Sequence, residues 1–400
     1  MKKIDKIQKI LAFLIAITLL LLASVPTVLC EPSDTSNIQT ELSETIDEQL
    51  GNIDLGSFDE IIDGLDENGQ NLFGSLSFWD KVTSLLNGEF NEDYGSFFSA
   101  LLDTLFGEIG NIIPILCTII AITILCSLVG NLRSETGSES VGNIINFVCY
   151  GVVIVIITSS VFSLLDITTN CVNSLKTQMD LLFPILLTLL ASVGGTVSVG
   201  IFQPTLAILS NLVVQIFTLF LIPLFIFSFV FVVVGHLTDS VKLDKFRSLF
   251  NSIFKWVAGI CFSVFMGAMV VGGVVAGSFD SVSIRATKFA LKSYIPILGG
   301  YLSDGFNIVM ASSVLIKNAV GMAGVILAAG TVLFPIIQIA VFSLGLKLTA
   351  SILEPLVKSK VPDFLMSIAK LLNMLVVILA GVGFMYMVSV GLILSTANIV

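Results

Sequence analysis

Long apolar runs fill most of the chain beyond residue 108, and short polar intervals separate them. A helix needs about 20 apolar residues to cross the hydrocarbon of a bilayer. Backbone groups in hydrocarbon find no water, so each run must be helical. The sequence therefore predicts an all-α polytopic transmembrane helix bundle with about six to eight hydrophobic helices. The runs are Ile109–Gly130, Ile144–Leu165, Leu181–Phe202, Leu206–Gly235, Val257–Phe279, Ala319–Leu344 and Leu371–Ser395.

Two segments carry glycine, proline and polar residues at membrane depth. One is Ser293–Ile316, a poorer candidate for a span, and the other is Val193–Pro204. Interrupted helices are tolerated at this depth only where protein covers them or where they line water. Both segments are therefore candidates for a re-entrant or broken helix beside a pathway. The candidate residues are Pro296, Gly299, Gly300, Asp304 and Gly305 in the first segment, and Gly194, Gly195, Gln203 and Pro204 in the second.

The N-terminal third differs from the rest. In residues 1–30 four lysines precede the uncharged run Ile10–Ala23, which is the layout of a secretory signal peptide, either cleaved or kept as an anchor. Residues 31–108 follow as an acidic extracytoplasmic segment, where apolar residues spaced by three and four predict short amphipathic helices. Residues 109–400 form the predicted transmembrane helical domain.

Composition and charge narrow the class of protein. Hydrophobic residues make up 55% of the chain and charged residues only 12%, against about 25% in soluble domains. The net charge of -10 belongs to one segment, because eighteen of the 29 acidic residues lie between Glu31 and Glu108. A nucleic-acid surface needs clustered excess cations, so that class is excluded.

Charge in the loops bears on the number of crossings, because cytoplasmic loops carry an excess of Lys and Arg. If all seven good candidates cross, two basic loops face outward, against the rule. If Leu181–Gly235 makes one net crossing and Ser293–Ile316 makes none, both loops lie inside. We favour the second, six-crossing arrangement. The cations of these loops are candidates for docking a cytoplasmic partner: Lys242, Lys245, Arg247, Lys255, Lys358 and Lys360.

Small residues four positions apart let helices approach closely. Gly273 with Gly277 and Gly324 with Ala328 have this spacing. They predict helix packing, either within the chain or against another subunit.

Catalytic signatures are missing from the sequence. The one histidine, His236, ends a span, and there is no GxSxG, HExxH or GxxxxGK[ST] motif. The six cysteines show no disulfide or zinc spacing. We predict that the protein is not an enzyme and has no cofactor.

The C-terminal half resembles a known family. The order SYIPILGGYLSDG at Ser293–Gly305, SSVLIKNAVGMAGV at Ser312–Val325, the Phe334 and Pro335 pair within a span, and LKLTASILEPL at Leu346–Leu356 is similar to the stage III sporulation protein AE family of endospore-forming bacteria. The chain length, the signal, the acidic segment and the placement of the spans fit that resemblance.

The resemblance implies a membrane subunit of the complex that links mother cell and forespore after engulfment, placed in the outer forespore membrane. It also implies partners: a cytoplasmic secretion-type ATPase, ring-forming membrane proteins, and a forespore protein in the intermembrane space. Two other functions stay open from the residues alone. One is a secondary transporter for a small solute, because broken helices build midplane binding sites, and the other is a non-conducting assembly scaffold.

Overall fold

The computed structural model describes residues 45–46, 56–64, 70, 77–87, 94–135, 139–237, 243–294, 299–357 and 359–396. Within these residues the chain is helical apart from turns and contains no strand. The predicted signal peptide lies outside them. The helices are α1 (Ser57–Asp63), α2 (Phe78–Leu86), α3 (Tyr94–Glu135), α4 (Glu139–Ser192), α5 (Thr196–Ile216), α6 (Ile222–Leu237), α7 (Asp244–Tyr294), α8 (Gly299–Leu353) and α9 (Val361–Ser395).

The prediction of an all-α polytopic bundle is confirmed. Six stretches in the described part of the chain are long and apolar enough to cross a membrane, and one of them runs through α5 and α6 together. A short π-helix, Phe217–Leu221, joins these two helices, and the N–H of Ile222 bonds to the carbonyl oxygen of Phe217 five residues earlier. The others lie in α3, α4, α7, α8 and α9.

Several helices are longer than a bilayer requires. Helix α4 has 54 residues and α8 has 55, which at about 1.5 Å per residue gives roughly 80 Å. The hydrocarbon core is only about 30 Å thick. Parts of both helices therefore project beyond it, even when the helices tilt.

The boundaries of two predicted spans differ from those of the helices. Helix α4 contains Ile144–Leu165 and the first part of Leu181–Phe202, and the remainder of that predicted span begins α5. Helix α8 likewise contains Ala319–Leu344 together with most of Ser293–Ile316. The described residues contain six stretches that are long and apolar enough to cross a membrane, which agrees with the six-crossing arrangement that the loop charges favour.

The interruption expected between Gly299 and Gly305 is not present in the backbone. Gly299, Gly300, Asp304 and Gly305 form the first turns of continuous helix α8. Glycine permits a break but does not impose one, and its cost inside a helix is only about 1 kcal/mol relative to alanine. Pro296 lies outside the described residues.

Helices α8 and α9 form an antiparallel hairpin that packs against α4 and supplies much of the core. The Ser343 hydroxyl of α8 donates to the carbonyl oxygen of Ala369 in α9 at 2.8 Å. Nearer the other end, the Tyr386 hydroxyl of α9 donates to the carbonyl oxygen of Gly324 in α8 at 3.2 Å. These bonds fix the register of the hairpin at two levels.

Helices α1 and α2 lie in the acidic segment and pack on the bundle. The rings of Phe58 and Phe78 stack with their centroids 4.2 Å apart. Ser77 and Asp80 close a capping box at the start of α2, which satisfies two backbone donors that the helix itself cannot. Helix α2 then packs against α8.

Candidate functional site

The connection between α4 and α5 is a sharp reversal built on two glycines. The N–H of Gly195 bonds to the carbonyl oxygen of Leu190, and that of Gly194 bonds to the carbonyl oxygen of Ala191, both at 2.9 Å. This is a Schellman motif, which needs a residue with positive φ, and Gly194 has a φ of 91°. Of the predicted candidates, Gly194 and Gly195 therefore make the break, whereas Gln203 and Pro204 lie on the exposed surface of α5.

A carboxylate from another helix completes the first turn of α5. The N–H of Val197 donates to Asp280 Oδ1 at 3.0 Å, and the N–H of Ser198 donates to Asp280 Oδ2 at 3.1 Å. Asp280 belongs to α7 and is fully buried. Gly195 occupies the N-cap position and has no side chain to serve these donors. Asp280 thus caps the N-terminus of α5 from a helix that is distant in the sequence. Its negative charge also interacts favourably with the positive end of the α5 dipole.

The last turn of α9 is capped by a cation, which donates to its carbonyl oxygens. Lys317 of α8 is fully buried. Its ammonium donates to the carbonyl oxygens of Thr396 at 2.7 Å, Leu394 at 3.2 Å and Ile393 at 3.5 Å. The last carbonyl groups of a helix lack the usual i+4 donors in their own helix, and a cation suits the negative end of the helix dipole. Lys317 therefore caps the end of α9.

The two capped helix ends lie at the same end of the bundle. Gly273 of α7 faces Phe202 of α5 and Leu392 of α9. Asp280 is two turns further along α7, and Leu392 is one turn before the carbonyls that bind Lys317. A cleft of about 340 Å³ opens here, lined by Val270, Gly273, Val274, Gly277, Leu392, Ser395 and Thr396. Its wall has no titratable side chain, so it supplies shape and apolar contact rather than acid–base chemistry.

The pairs of small residues occupy different surroundings. A Cβ on Gly324 would collide with Leu182 of α4 and lie 3.2 Å from the Tyr386 hydroxyl of α9, and Ala328 is buried. This pair therefore packs within the chain. A Cβ on Gly277 would have no heavy atom within 4 Å, so that glycine borders open space in the cleft.

The opposite end of the bundle is basic. Arg247 donates from Nη1 to Ser367 Oγ at 3.1 Å and from Nη2 to the Ser367 carbonyl oxygen at 3.4 Å, which ties α7 to α9. Lys245, Lys255 and Lys360 are exposed. Lys242 and Lys358 fall outside the described residues. The candidate docking cations thus divide into one that holds two helices together and several that face solvent.

Comparison with known proteins adds the family. The sequence model of the family described as stage III sporulation protein AE matches residues 76–397, from the start of α2 to the end of α9. The chain belongs to the stage III sporulation protein AE family. Stage III sporulation protein AE of Bacillus subtilis (strain 168) is 28% identical over 318 residues, which cover 80% of this chain and 80% of that protein. No solved structure matches the chain.

Membership of the stage III sporulation protein AE family confirms the resemblance found in the sequence. With the six apolar helices, it makes the chain a sporulation-related, multi-pass membrane protein. Sequence reasoning missed Asp280, because this residue follows directly after the apolar run Val257–Phe279 and resembles an ordinary boundary residue. One signal was available: the Gly194–Gly195 break creates a helix start without a capping side chain, so an acceptor must come from elsewhere.

Proposed function

We propose that the protein is a membrane subunit of a complex that connects mother cell and forespore after engulfment, placed in the outer forespore membrane. The observation that supports this most is the family match, which extends over the whole bundle from residue 76 to residue 397. A subunit of such a complex needs a rigid membrane body with one end facing the cytoplasm and the other facing the intermembrane space. The bundle has two chemically different ends of this kind.

The charges of the loops predict which end of the bundle faces the cytoplasm. The end that carries Lys245, Arg247 and Lys360 faces the mother-cell cytoplasm, because cytoplasmic loops are enriched in Lys and Arg. The end with the α4–α5 turn and the last turn of α9 then faces the intermembrane space. When the protein is produced in the cytoplasmic membrane of cells that have not begun engulfment, cysteines at Ser248 and Lys360 should resist an impermeant thiol reagent, while one at Ser283 should react. The reverse pattern would invert the bundle and remove the basis for cytoplasmic docking.

A cytoplasmic secretion-type ATPase would dock on the basic end. The chain has no phosphate-binding loop, so energy must come from another subunit, and an exposed cationic surface attracts an acidic partner. The test replaces Lys245, Lys255 and Lys360 with Gln and leaves Arg247, whose bonds to Ser367 hold α7 on α9. Co-purification with the ATPase should fall. The control replaces Arg285, Lys288 and Lys292 with Gln, and equal loss in both variants would contradict specific docking.

The helix break argues against a solute transporter. In transporters with broken helices, the N-terminus of a half-helix binds the anionic part of the substrate. Here the start of α5 is already occupied by the Asp280 carboxylate. No group of metal-binding side chains occurs among the described residues. We therefore place this protein in a non-enzymatic role within an assembly.

Deletion of the gene tests the proposed role. The mutant should complete engulfment and then fail to form heat-resistant spores, and expression of the full chain in the mother cell should restore them. A fluorescent fusion made in the mother cell should surround the forespore. Heat-resistant spores at the wild-type frequency in the deletion strain, or rescue only by expression in the forespore, would refute the proposal.

A further inference from the structure

A line of polar side chains runs along the outside of α4. Asp166, Asn170, Asn173, Thr177 and Asp180 are all exposed. Their spacings of four, three, four and three residues place them on one face of the helix. We refer to these five residues as the α4 polar stripe. Lys176 lies beside it and forms an ion pair with Asp180 at 3.6 Å.

The other side of α4 is packed into the bundle. Leu164, Thr168, Val172, Leu175 and Met179 are buried. The stripe therefore points away from the protein core, toward whatever surrounds the bundle.

Contacts with α8 give the depth of the stripe. Gln178 of α4 donates from Nε2 to Thr331 Oγ1 at 2.7 Å, and Cys171 Sγ bonds to the carbonyl oxygen of Thr331 at 3.2 Å. Thr331 lies near the middle of the uncharged stretch of α8 between Lys317 and Lys347. That stretch has the residues of α8 best suited to hydrocarbon, so the stripe lies at mid-depth of the membrane.

Polar groups at this depth cannot face lipid at low cost. A charged side chain at the centre of a bilayer is costly, and such residues normally face protein or water. The ion pair with Lys176 offsets part of the cost for Asp180. Thr177 bonds to the backbone of its own helix. The side-chain amides of Asn170 and Asn173 and the carboxylate of Asp166 have no such partner within the described part of the chain.

We propose that the α4 polar stripe lines a water-filled pathway enclosed between copies of this chain. One bundle provides a single wall, so a closed pathway needs further walls. Copies inserted in the same orientation, arranged around an axis along the membrane normal, bring identical stripes together at the same depth. A dry contact would press Asp166 against its counterpart, whereas water between the copies hydrates both. The inference rests on α4 and its neighbours and does not depend on the role in sporulation.

Thiol labelling in reconstituted vesicles tests the pathway. The full chain, with its six native cysteines replaced, receives a single cysteine at Asn170, Asn173 or Thr177 and is treated with a cationic methanethiosulfonate. The control is Val264→Cys on α7, which is exposed and apolar. Val264 is two residues from Phe262, and the ring centroids of Phe262 and Phe384 in α9 lie 5.3 Å apart. Gly383, next to Phe384, faces Val332, which follows Thr331 in α8. The control is therefore at the same depth.

The stripe cysteines should react about tenfold or more faster than the control, because the thiolate attacks the reagent and displaces its sulfinate group, and a thiol ionises where water reaches it. This difference should disappear when the protein is diluted in lipid until each vesicle holds single chains. Three results would overturn the proposal. These are stripe cysteines as slow as Val264→Cys, a control that labels as fast as the stripe, or fast stripe labelling that persists at single-chain dilution. None of them bears on whether the gene is needed for sporulation.

Discussion

The carboxylate of Asp280 in α7 accepts the backbone N–H of Ser198 in α5 at 3.1 Å, although 82 positions separate the two residues in the sequence. Each helix thereby depends on the other, because α5 has no capping side chain of its own and α7 carries a charge that must be satisfied inside the protein. Such a buried carboxylate is stable only while its hydrogen-bond donors stay in place.

Replacing Asp280 with Ala should lower the free energy of unfolding in detergent by about 2 kcal/mol, because two backbone donors lose a charged acceptor. Asp280→Asn keeps one acceptor oxygen and should lose less. The control is Ser278→Ala, two residues away on the same helix, since the exposed Ser278 hydroxyl bonds only within α7. An Asp280→Ala protein as stable as the control would contradict the capping role.

Lys317→Met should loosen the end of α9 while leaving its remainder protected. The substitution keeps much of the side-chain volume but removes the donor that serves the carbonyl oxygens of Leu394 and Thr396, so the last turn should fray. Hydrogen exchange measured by mass spectrometry should quicken near residues 390–396 and not near Ser367. The exposed Lys370 at the other end gives the control, Lys370→Met, which should leave exchange in the last turn unchanged.

Gly324→Ala should destabilise the protein by about 1–3 kcal/mol through overpacking, because the added methyl group meets Leu182 and the Tyr386 hydroxyl. Gly277→Ala is the matched control. Its methyl group enters open space, and alanine favours a helix over glycine by up to about 1 kcal/mol. Thermal unfolding of both variants measures the difference. In Gly324→Ala/Leu182→Ala the loss should be smaller than the sum of the two single losses, because the shortened side chain leaves room for the methyl group. Equal melting temperatures of Gly324→Ala and Gly277→Ala would argue against tight packing at Gly324.

Gly194→Ala should cost about 1–2 kcal/mol, because an L side chain disfavours the left-handed backbone region. The new Cβ would also lie 3.2 Å from Ile284 Cγ1. The control is Gly200→Ala, which lies within α5 and has open space around its Cβ position. Denaturant unfolding should show a loss for the first variant only. If both variants behave alike, the turn does not require a glycine.

The sequence predicted the class of fold because apolar runs of sufficient length have few alternatives in a bilayer. It also located the break at Gly194, where a pair of glycines can adopt the backbone conformation of a helix end. Glycine permits a helix break without requiring one. The sequence therefore could not show that Gly299 and Gly305 lie in continuous helix α8. The polar interval after Leu165 predicts a boundary between two spans. Its polar residues in fact recur with helical spacing, and α4 continues through it.

The caps could not be foreseen from local sequence. Asp280 and Lys317 each serve a helix end about 80 positions away, and only the packing of α5, α7, α8 and α9 brings these groups together. Their residue types were informative, because an ionised side chain beside an apolar run needs a partner. The identity of the partner depends on tertiary contacts that no spacing rule contains.

The distance in sequence between Asp280 and the start of α5 also sets an order of events during biosynthesis. A ribosome adds about 5–20 residues per second, so the 82 positions between Ser198 and Asp280 correspond to roughly 4–16 s of translation at that rate. Throughout this interval α5 has left the ribosome with its first backbone donors unmatched. A nascent chain that stops before α7 therefore carries an α4–α5 hairpin without the carboxylate that completes the first turn of α5.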